Sequence, residues 1–139
     1  DPVMTESGLI GIISAVGPPS ARVKTTLSPE IDVSAIEITG KELGVVTGDI
    51  SLAQQGMTRM SVLSAETELQ EGDLLVTAGA SALYPKDIPI GRVESVETES
   101  HGVTKYVTVR PMVSIEDVSS VVVVTDFLGQ GSEMVDFNE

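Results

Sequence analysis

One serine of this sequence lies in a setting that could suit a catalytic nucleophile, and one histidine could serve as its base. Ser81 lies between small residues in GASALYPKDIPIGRV, residues 79–93, and His101 is the single histidine of the chain. A serine hydrolase needs a histidine base, which a carboxylate orients, within hydrogen-bond reach of its nucleophile. One hypothesis is therefore a chymotrypsin-like serine hydrolase, or a degenerate relative of one, that uses Ser81.

The residues around Ser81 and His101 argue against catalysis. The strained Gly-x-Ser-x-Gly elbow of many hydrolases needs a strand-to-helix turn and a glycine where this chain has Leu83. His101 precedes Gly102 in ESHGV, which is typical of a turn between two strands because histidine tolerates a positive φ there. The sequence therefore favours a protein with no catalytic residue, and the hydrolase remains the alternative.

The acidic and glycine-rich stretches do not match known metal or phosphate motifs. Glu68, Glu71 and Asp73 lie close together in ELQEGD, but their spacing differs from that of a calcium-binding loop, and a solvated acidic loop is favoured. The glycines of GVVTGDI and TAGASAL lack the lysine or the following helix that a phosphate site needs. We therefore expect no metal and no cofactor, and a protein-interaction module is the leading hypothesis. A barrel that binds a small molecule or a peptidoglycan fragment is a third possibility.

The composition narrows the classes of partner. The chain has 139 residues, of which 41% are hydrophobic, so it can form a core. Its 21 acidic and 8 basic residues give a net charge of -13, which argues against nucleic-acid binding. Cysteine is absent, and no apolar run is long enough to span a membrane. Because the sequence begins on Asp-Pro, we expect that it could be cut from a longer, anchored parent.

Short apolar stretches between Gly, Pro, Asp and Ser predict an all-β fold with little helix. The composition supports strands, because the apolar residues are mostly aliphatic and many are β-branched. We expect two small β barrels of the six-stranded type, packed together. Strands are predicted at residues 9–16, 22–27, 33–38, 43–47, 50–52, 60–63, 74–77, 90–96, 103–109 and 118–125.

The longest polar interruption, SAETELQEGD, predicts a boundary between two subdomains at residues 63–73. The first subdomain would cover residues 8–66 and the second residues 67–117. The stretch SSVVVVT does not alternate apolar with polar residues, which is typical of a strand that lies between two subdomains. We therefore expect a strand near residues 118–125 to complete the first subdomain. The ends, residues 1–7 and 127–139, are polar or lack a period and are expected to be flexible.

The two prolines in the stretch at residues 79–93 predict a rigid step on the protein surface. Pro85 and Pro89 cannot donate to a β ladder, so they mark a loop or a sheet edge. We expect Tyr84, Pro85, Ile88 and Pro89 to form a low-entropy protein-binding surface. The alternative is that Tyr84 closes the end of a barrel.

The strand VTKYVTVRP carries two basic residues, Lys105 and Arg110, in a strongly acidic protein. One hypothesis is that this strand has a free edge and binds an acidic rim, such as that around Glu94, on a partner or a second copy. The alternative is a local hairpin between residues 90–96 and 103–109, which would place Arg110 beside Glu94.

Three segments resemble the MreC family of rod-shape-determining proteins. LQEGDLLVTAGASALYPKDIPIGRVESVE is similar to the family's Gly-Asp strand, small-residue loop, aromatic-Pro step and Ile-Pro-x-Gly strand. GLIGIISAVGPPSARVKTTLSPE resembles its Gly-Leu-x-Gly opening, and GVVTGD resembles its Gly-Asp hairpin. The resemblance covers residues 8–126.

This resemblance implies a paired β domain outside the membrane, which a helix absent from the present chain would anchor in the parent protein. It also implies a non-catalytic scaffold of the bacterial cell-wall elongation machinery, which organises peptidoglycan synthesis and so controls cell shape. The implied partners are a transpeptidase of the penicillin-binding protein 2 type, the membrane protein MreD and further copies of the chain.

Overall fold

The computed structural model describes residues 1–17, 20–62, 66–79, 84–99, 105–114 and 121–125. Six of the strands close into an antiparallel barrel. These strands are β4 (Asp32–Glu37), β5 (Leu43–Thr47), β6 (Thr58–Val62), β7 (Leu74–Thr77), β8 (Pro89–Thr98) and β9 (Lys105–Pro111). Their order around the barrel is β4-β5-β6-β9-β8-β7. The ring is closed because β7 pairs with β4 as well as with β8.

The barrel interior is filled by aliphatic side chains. Along β4 and β5 buried residues alternate with more exposed ones, as the two-residue period of a strand requires. The alternation places Val33 and Ala35 from β4, with Val46 from β5, in the core. Met60, Leu75, Ile90, Val107 and Val109 pack in the same cluster. The inside of the barrel is therefore a packed core.

The remaining strands form a four-stranded antiparallel sheet. Its order is β10-β1-β2-β3, with β1 (Pro2–Thr5), β2 (Gly8–Gly17), β3 (Ser20–Thr25) and β10 (Val122–Val123). Strand β2 joins the two units, because Leu9 packs in the barrel core while Ile10 packs with Val3 and Val113 in a second cluster. The C-terminal segment thus returns to the sheet that holds the N terminus.

The all-β class with little helix is confirmed, and so is a closed six-stranded barrel. The described residues contain one closed barrel, beside which the second unit is an open sheet. A boundary at residues 63–73 is wrong for this barrel, since β6 and β7 on either side of it belong to the same ring. The prediction failed because the described part of the polar stretch, residues 66–73, is anchored in the core of this barrel by Leu69. The strands divide between β3 and β4 instead.

Two local predictions are also wrong. Residues 1–7 are not a flexible end, because β1 pairs with both β2 and β10 and the side chain of Val3 is buried. The predicted strand at residues 50–52 is a short helix, α1 (Ile50–Ala53). Asp49 starts this helix by accepting a hydrogen bond from the backbone N–H of Leu52. Residues 127–139 lie outside the described part.

The proposed free edge of the basic strand does not exist in the described ladder. Strand β9 lies between β6 and β8, so closure of the barrel uses both of its edges. The alternative hairpin is found, with Val93 opposite Val109 in the β8–β9 ladder. Within the described part of the chain, no helix has the length and apolar character needed to cross a membrane.

Candidate protein-binding surface

The aromatic side chain of the predicted surface step is buried. Tyr84 is 4% exposed and Ile88 is 6% exposed, and both pack in the barrel core. Their prediction as a protein-binding surface is therefore wrong, because these apolar side chains fill the barrel. The alternative, in which Tyr84 closes the barrel, agrees with its burial. This burial, with a smaller contribution from the charge of Asp32, raises the pKa of Tyr84 to about 12.

Hydrogen bonds from Thr77 hold the step in place. The Thr77 hydroxyl donates to the carbonyl oxygen of Pro85 at 2.6 Å and accepts from the N–H of Ile88 at 2.8 Å. Asp87 takes a left-handed backbone conformation, with φ at 68°, between these two contacts. Pro85 and Pro89 are half-buried and so remain partly accessible. The segment is therefore a loop that Thr77 holds by hydrogen bonds, and its prolines are more accessible than its tyrosine.

The two basic residues of β9 lie at opposite ends of the strand. Arg110 is exposed, and its Nε lies 3.0 Å from Oε1 of Glu94. This hydrogen bond and the arginine charge lower the pKa of Glu94. Lys105 is half-buried and lies opposite Thr98 at the far end of the β8–β9 ladder. The structure therefore brings Arg110 to the end of β8 that begins at Pro89 and leaves Lys105 apart.

Sequence reasoning missed an arginine on the outer face of the barrel. The guanidinium of Arg59 lies 4.0 Å from the centre of the Tyr106 ring, and its Nη2 lies 2.6 Å from Oε2 of Glu99. A weaker contact at 4.0 Å joins its Nη1 to Asp49. The β6–β9 ladder brings Arg59 beside Tyr106, and no local sequence pattern connects positions so far apart.

Sequence reasoning also missed a carboxylate-lined cavity at one end of the barrel. Its volume is about 300 Å³. Oε1 of Glu37, a side chain only 6% exposed, accepts from the N–H of Gly40, and Oε1 of Glu42 accepts from the N–H of Glu68 at 3.1 Å. We call this space the acidic cavity; it is lined by Glu37, Thr39, Gly40, Glu42, Glu68, Leu69, Gln70 and Asp73. Of its four carboxylates, the acidic loop in the sequence indicated only Glu68 and Asp73. The other two, Glu37 and Glu42, belong to the β4–β5 hairpin.

The remaining sequence hypotheses concern a metal site in the acidic loop and a catalytic serine. Across the described ranges, no group of three histidine or acidic side chains could hold a metal ion. Asp73 accepts a hydrogen bond from the N–H of Gln70 at 2.8 Å, so it closes a turn in the acidic loop. Ser81 and His101 of the hydrolase hypothesis lie outside the described residues.

A family model described as "Rod shape-determining protein MreC, barrel core" matches residues 1–125. The chain belongs to the MreC family. It is 31% identical over 125 residues to the cell shape-determining protein MreC of Listeria monocytogenes, covering 87% of this chain and 41% of the relative. It is 29% identical over 130 residues to MreC of Bacillus subtilis, covering 88% and 45%. The chain thus spans less than half the length of these relatives.

Solved MreC structures share the fold. MreC from Pseudomonas aeruginosa superposes with a TM-score of 0.78 at 22% identity, covering 86% of this chain and 76% of that one. MreC from Listeria monocytogenes gives 0.73 at 26% identity, with 90% and 64% covered. A Helicobacter pylori chain, solved as a complex between penicillin-binding protein PBP2 and MreC, gives 0.63 at 16% identity, with 78% and 64% covered. The resemblance to the MreC family predicted from the sequence is confirmed.

Proposed function

We propose that this chain is a non-catalytic scaffold of the bacterial cell-wall elongation machinery, which controls cell shape through protein–protein contacts. The match of residues 1–125 to the barrel core of the MreC family carries this proposal. The packed core agrees with it, because apolar side chains fill the described interior of the barrel. Its partner would be a transpeptidase of the penicillin-binding protein 2 type, as in the Helicobacter pylori complex. MreD and further copies of the chain are the other proposed partners.

The proposed location is the extracytoplasmic side of the cell membrane. Two solved neighbours are described as the major periplasmic domain of the cell shape-determining filament MreC. In this proposal a helix elsewhere in a longer parent protein anchors the domain. The accessible residues of the sequence hypothesis, Pro85, Pro89, Lys105 and Arg110, remain proposed partner contacts.

The proposed function is tested by cell width in the source organism. Deleting the codons for residues 8–125 from its gene should widen or round the cells, because the elongation machinery would lose its scaffold. The control is the same gene with the substitution Ser81→Ala, which should keep the normal width. Unchanged width in the deletion strain would contradict the scaffold.

The absence of catalysis is tested with a fluorophosphonate probe on the purified chain. We expect no stoichiometric labelling, since the sequence around Ser81 lacks the Gly-x-Ser-x-Gly motif of an activated serine. Labelling at Ser81, together with abnormal width in the Ser81→Ala strain, would favour the hydrolase alternative instead.

A further inference from the structure

The outer face of the β4–β5 hairpin carries four aliphatic side chains that the barrel core does not use. Val46 and Ala35 point inward, so their alternating neighbours point outward, and the register places Ile36 opposite Leu43. Ile38 is 47% exposed and Leu43 is 46% exposed, while the other two are half-buried. We call this face the apolar stripe; it consists of Ile36, Ile38, Leu43 and Val45.

The apolar stripe adjoins the acidic cavity because one turn contributes to both. Ile38 and Leu43 flank the turn between β4 and β5, and the residues between them include Thr39, Gly40 and Glu42 of the cavity lining. A hydrogen bond from the N–H of Glu37 to the carbonyl oxygen of Glu42 closes this turn. A partner that covers Ile38 and Leu43 would therefore lie next to the turn that contributes Thr39, Gly40 and Glu42 to the cavity lining.

Within the described part of the chain, the carboxylates of the acidic cavity lack positively charged partners. None of its carboxylates forms an ion pair with a described lysine or arginine. Oε2 of Glu42 is buried, and no described group donates a hydrogen bond to it. A buried carboxylate oxygen without a donor is unfavourable, so a positive charge placed beside Glu42 would offset part of this cost.

The geometry of these acceptors favours an organic cation over a metal ion. No three acidic side chains of the described ranges are close enough to ligate a metal. A lysine ammonium or an arginine guanidinium brings several donors on a long apolar stem, and such a stem can lie along aliphatic side chains while its head enters a cavity.

We propose that this corner of the barrel docks a partner segment in which an aliphatic or aromatic residue lies beside a lysine or an arginine. The apolar side chain packs on Ile38 and Leu43, and the cation enters the acidic cavity beside Glu42. Charge complementarity selects this partner, because the chain as a whole carries a net charge of -13 and the cavity concentrates carboxylates. The inference rests on the proposed scaffold function and names the chemistry of the segment that such a scaffold recognises.

Selection of random peptides displayed on phage tests the proposal without assuming a named partner. The immobilised 139-residue chain should enrich peptides that carry a basic residue next to an apolar one. The affinity of an enriched synthetic peptide, measured by fluorescence anisotropy, should fall about tenfold or more in the double variant Ile38→Ser, Leu43→Ser. Both side chains are exposed, so this variant should fold.

Matched controls separate the site from general attraction to an acidic protein. The apolar control is Ile50→Ser, because Ile50 is 70% exposed on α1. The charge test compares the double variant Glu42→Gln, Glu68→Gln with Glu6→Gln, Glu97→Gln, since both change the net charge equally. We expect weaker peptide binding only in the variant Glu42→Gln, Glu68→Gln. Its fold should be kept, because glutamine at position 42 can still accept the hydrogen bond from the backbone N–H of residue 68.

Each other outcome counts against the proposal. No enrichment, enriched peptides without a basic residue, or equal loss in both charge pairs would overturn it. Sedimentation of the chain alone tests whether a second copy of the chain occupies this face instead. A dimer that Leu43→Ser abolishes would show this and would overturn the proposal. If the peptides bind as expected while deletion of residues 8–125 leaves cell width unchanged, the scaffold function fails and the docking site stands.

Discussion

Two fully buried threonines show how the same residue type can differ in its contribution to stability. Thr77 and Thr58 are both 0% exposed. The Thr77 hydroxyl bonds to Pro85 and Ile88, whereas the Thr58 hydroxyl has no hydrogen-bond partner among the described residues. Sequence alone cannot distinguish them, because each is simply a threonine in an apolar strand, and only the loop that folds over β7 gives Thr77 its partners.

We predict that Thr77→Val lowers the free energy of unfolding by about 1–3 kcal/mol, since it leaves a buried N–H and a carbonyl without their partner. The matched substitution Thr58→Val should be neutral or stabilising, because it removes an unpaired hydroxyl at constant shape. Urea denaturation of the three proteins measures both changes. Equal losses in the two variants would contradict this account.

The second prediction at this scale concerns the titration of Tyr84. Its pKa rises from 10.0 to about 12 in the folded protein, so below pH 10 the native and unfolded states both keep the proton. As pH rises from 10 to 12 the unfolded state loses the proton first, and the free energy of unfolding must fall. Tyr84→Phe should remove part of this fall in urea denaturations across that range. The same pH dependence in both proteins would show that Tyr84 is accessible.

At the level of elements, close approach of β2 to its neighbours explains the glycines of the opening motif. A Cβ on Gly8 would lie 2.7 Å from the carbonyl oxygen of Pro89, so this glycine lets the sheet pack against the barrel. A Cβ on Gly11 would overlap the backbone of Lys24 on β3. Both positions need the absence of a side chain, because the backbone of a neighbouring strand lies close to each of them.

We predict that Gly11→Ala lowers the free energy of unfolding by about 3 kcal/mol, because the strand backbones must separate to admit the methyl group. Gly40→Ala is the control, since its Cβ would meet only the end of the Glu37 side chain, at 3.1 Å. Thermal unfolding of both variants measures the difference. A mild effect at Gly11 equal to that at Gly40 would contradict the close packing of β2 on β3.

The sequence predicted those strands best whose two faces differ. The alternation along β4 and β5 marks one side as core, and both strands lie within one residue of where they were expected. Strand β1 was missed because PVMT is short and flanked by polar residues, and its burial depends on β2 and β10. Helix α1 was missed because ISLA is apolar, and the capping role of Asp49 decided its conformation.

At the level of the whole molecule, partition of the strands depends on pairing across long sequence distances. The barrel joins β4 to β7 and β6 to β9, and a polar loop between β6 and β7 gives no sign of this. The candidate site shows the same limit, because the acidic cavity combines a hairpin with a distant loop. Proline positions predicted the rigid step, but only the packing showed that Tyr84 faces the core.

Because β1 is part of the fold, removal of residues 1–7 should destabilise the chain by about 2 kcal/mol or more. The loss would expose the side chains that pack on Val3, namely Ile10 and Val113, and would remove the pairing partner of β10. Urea denaturation of the shortened chain measures it. Unchanged stability would show that this end is dispensable.

Complex formation with a transpeptidase decides whether this chain acts as a scaffold. Sedimentation velocity is measured on the purified chain mixed with the extracytoplasmic domain of the penicillin-binding protein 2 type enzyme from the same organism. We expect a saturable complex that sediments faster than either protein alone. Two independently sedimenting species at every concentration, with both proteins folded, would contradict it.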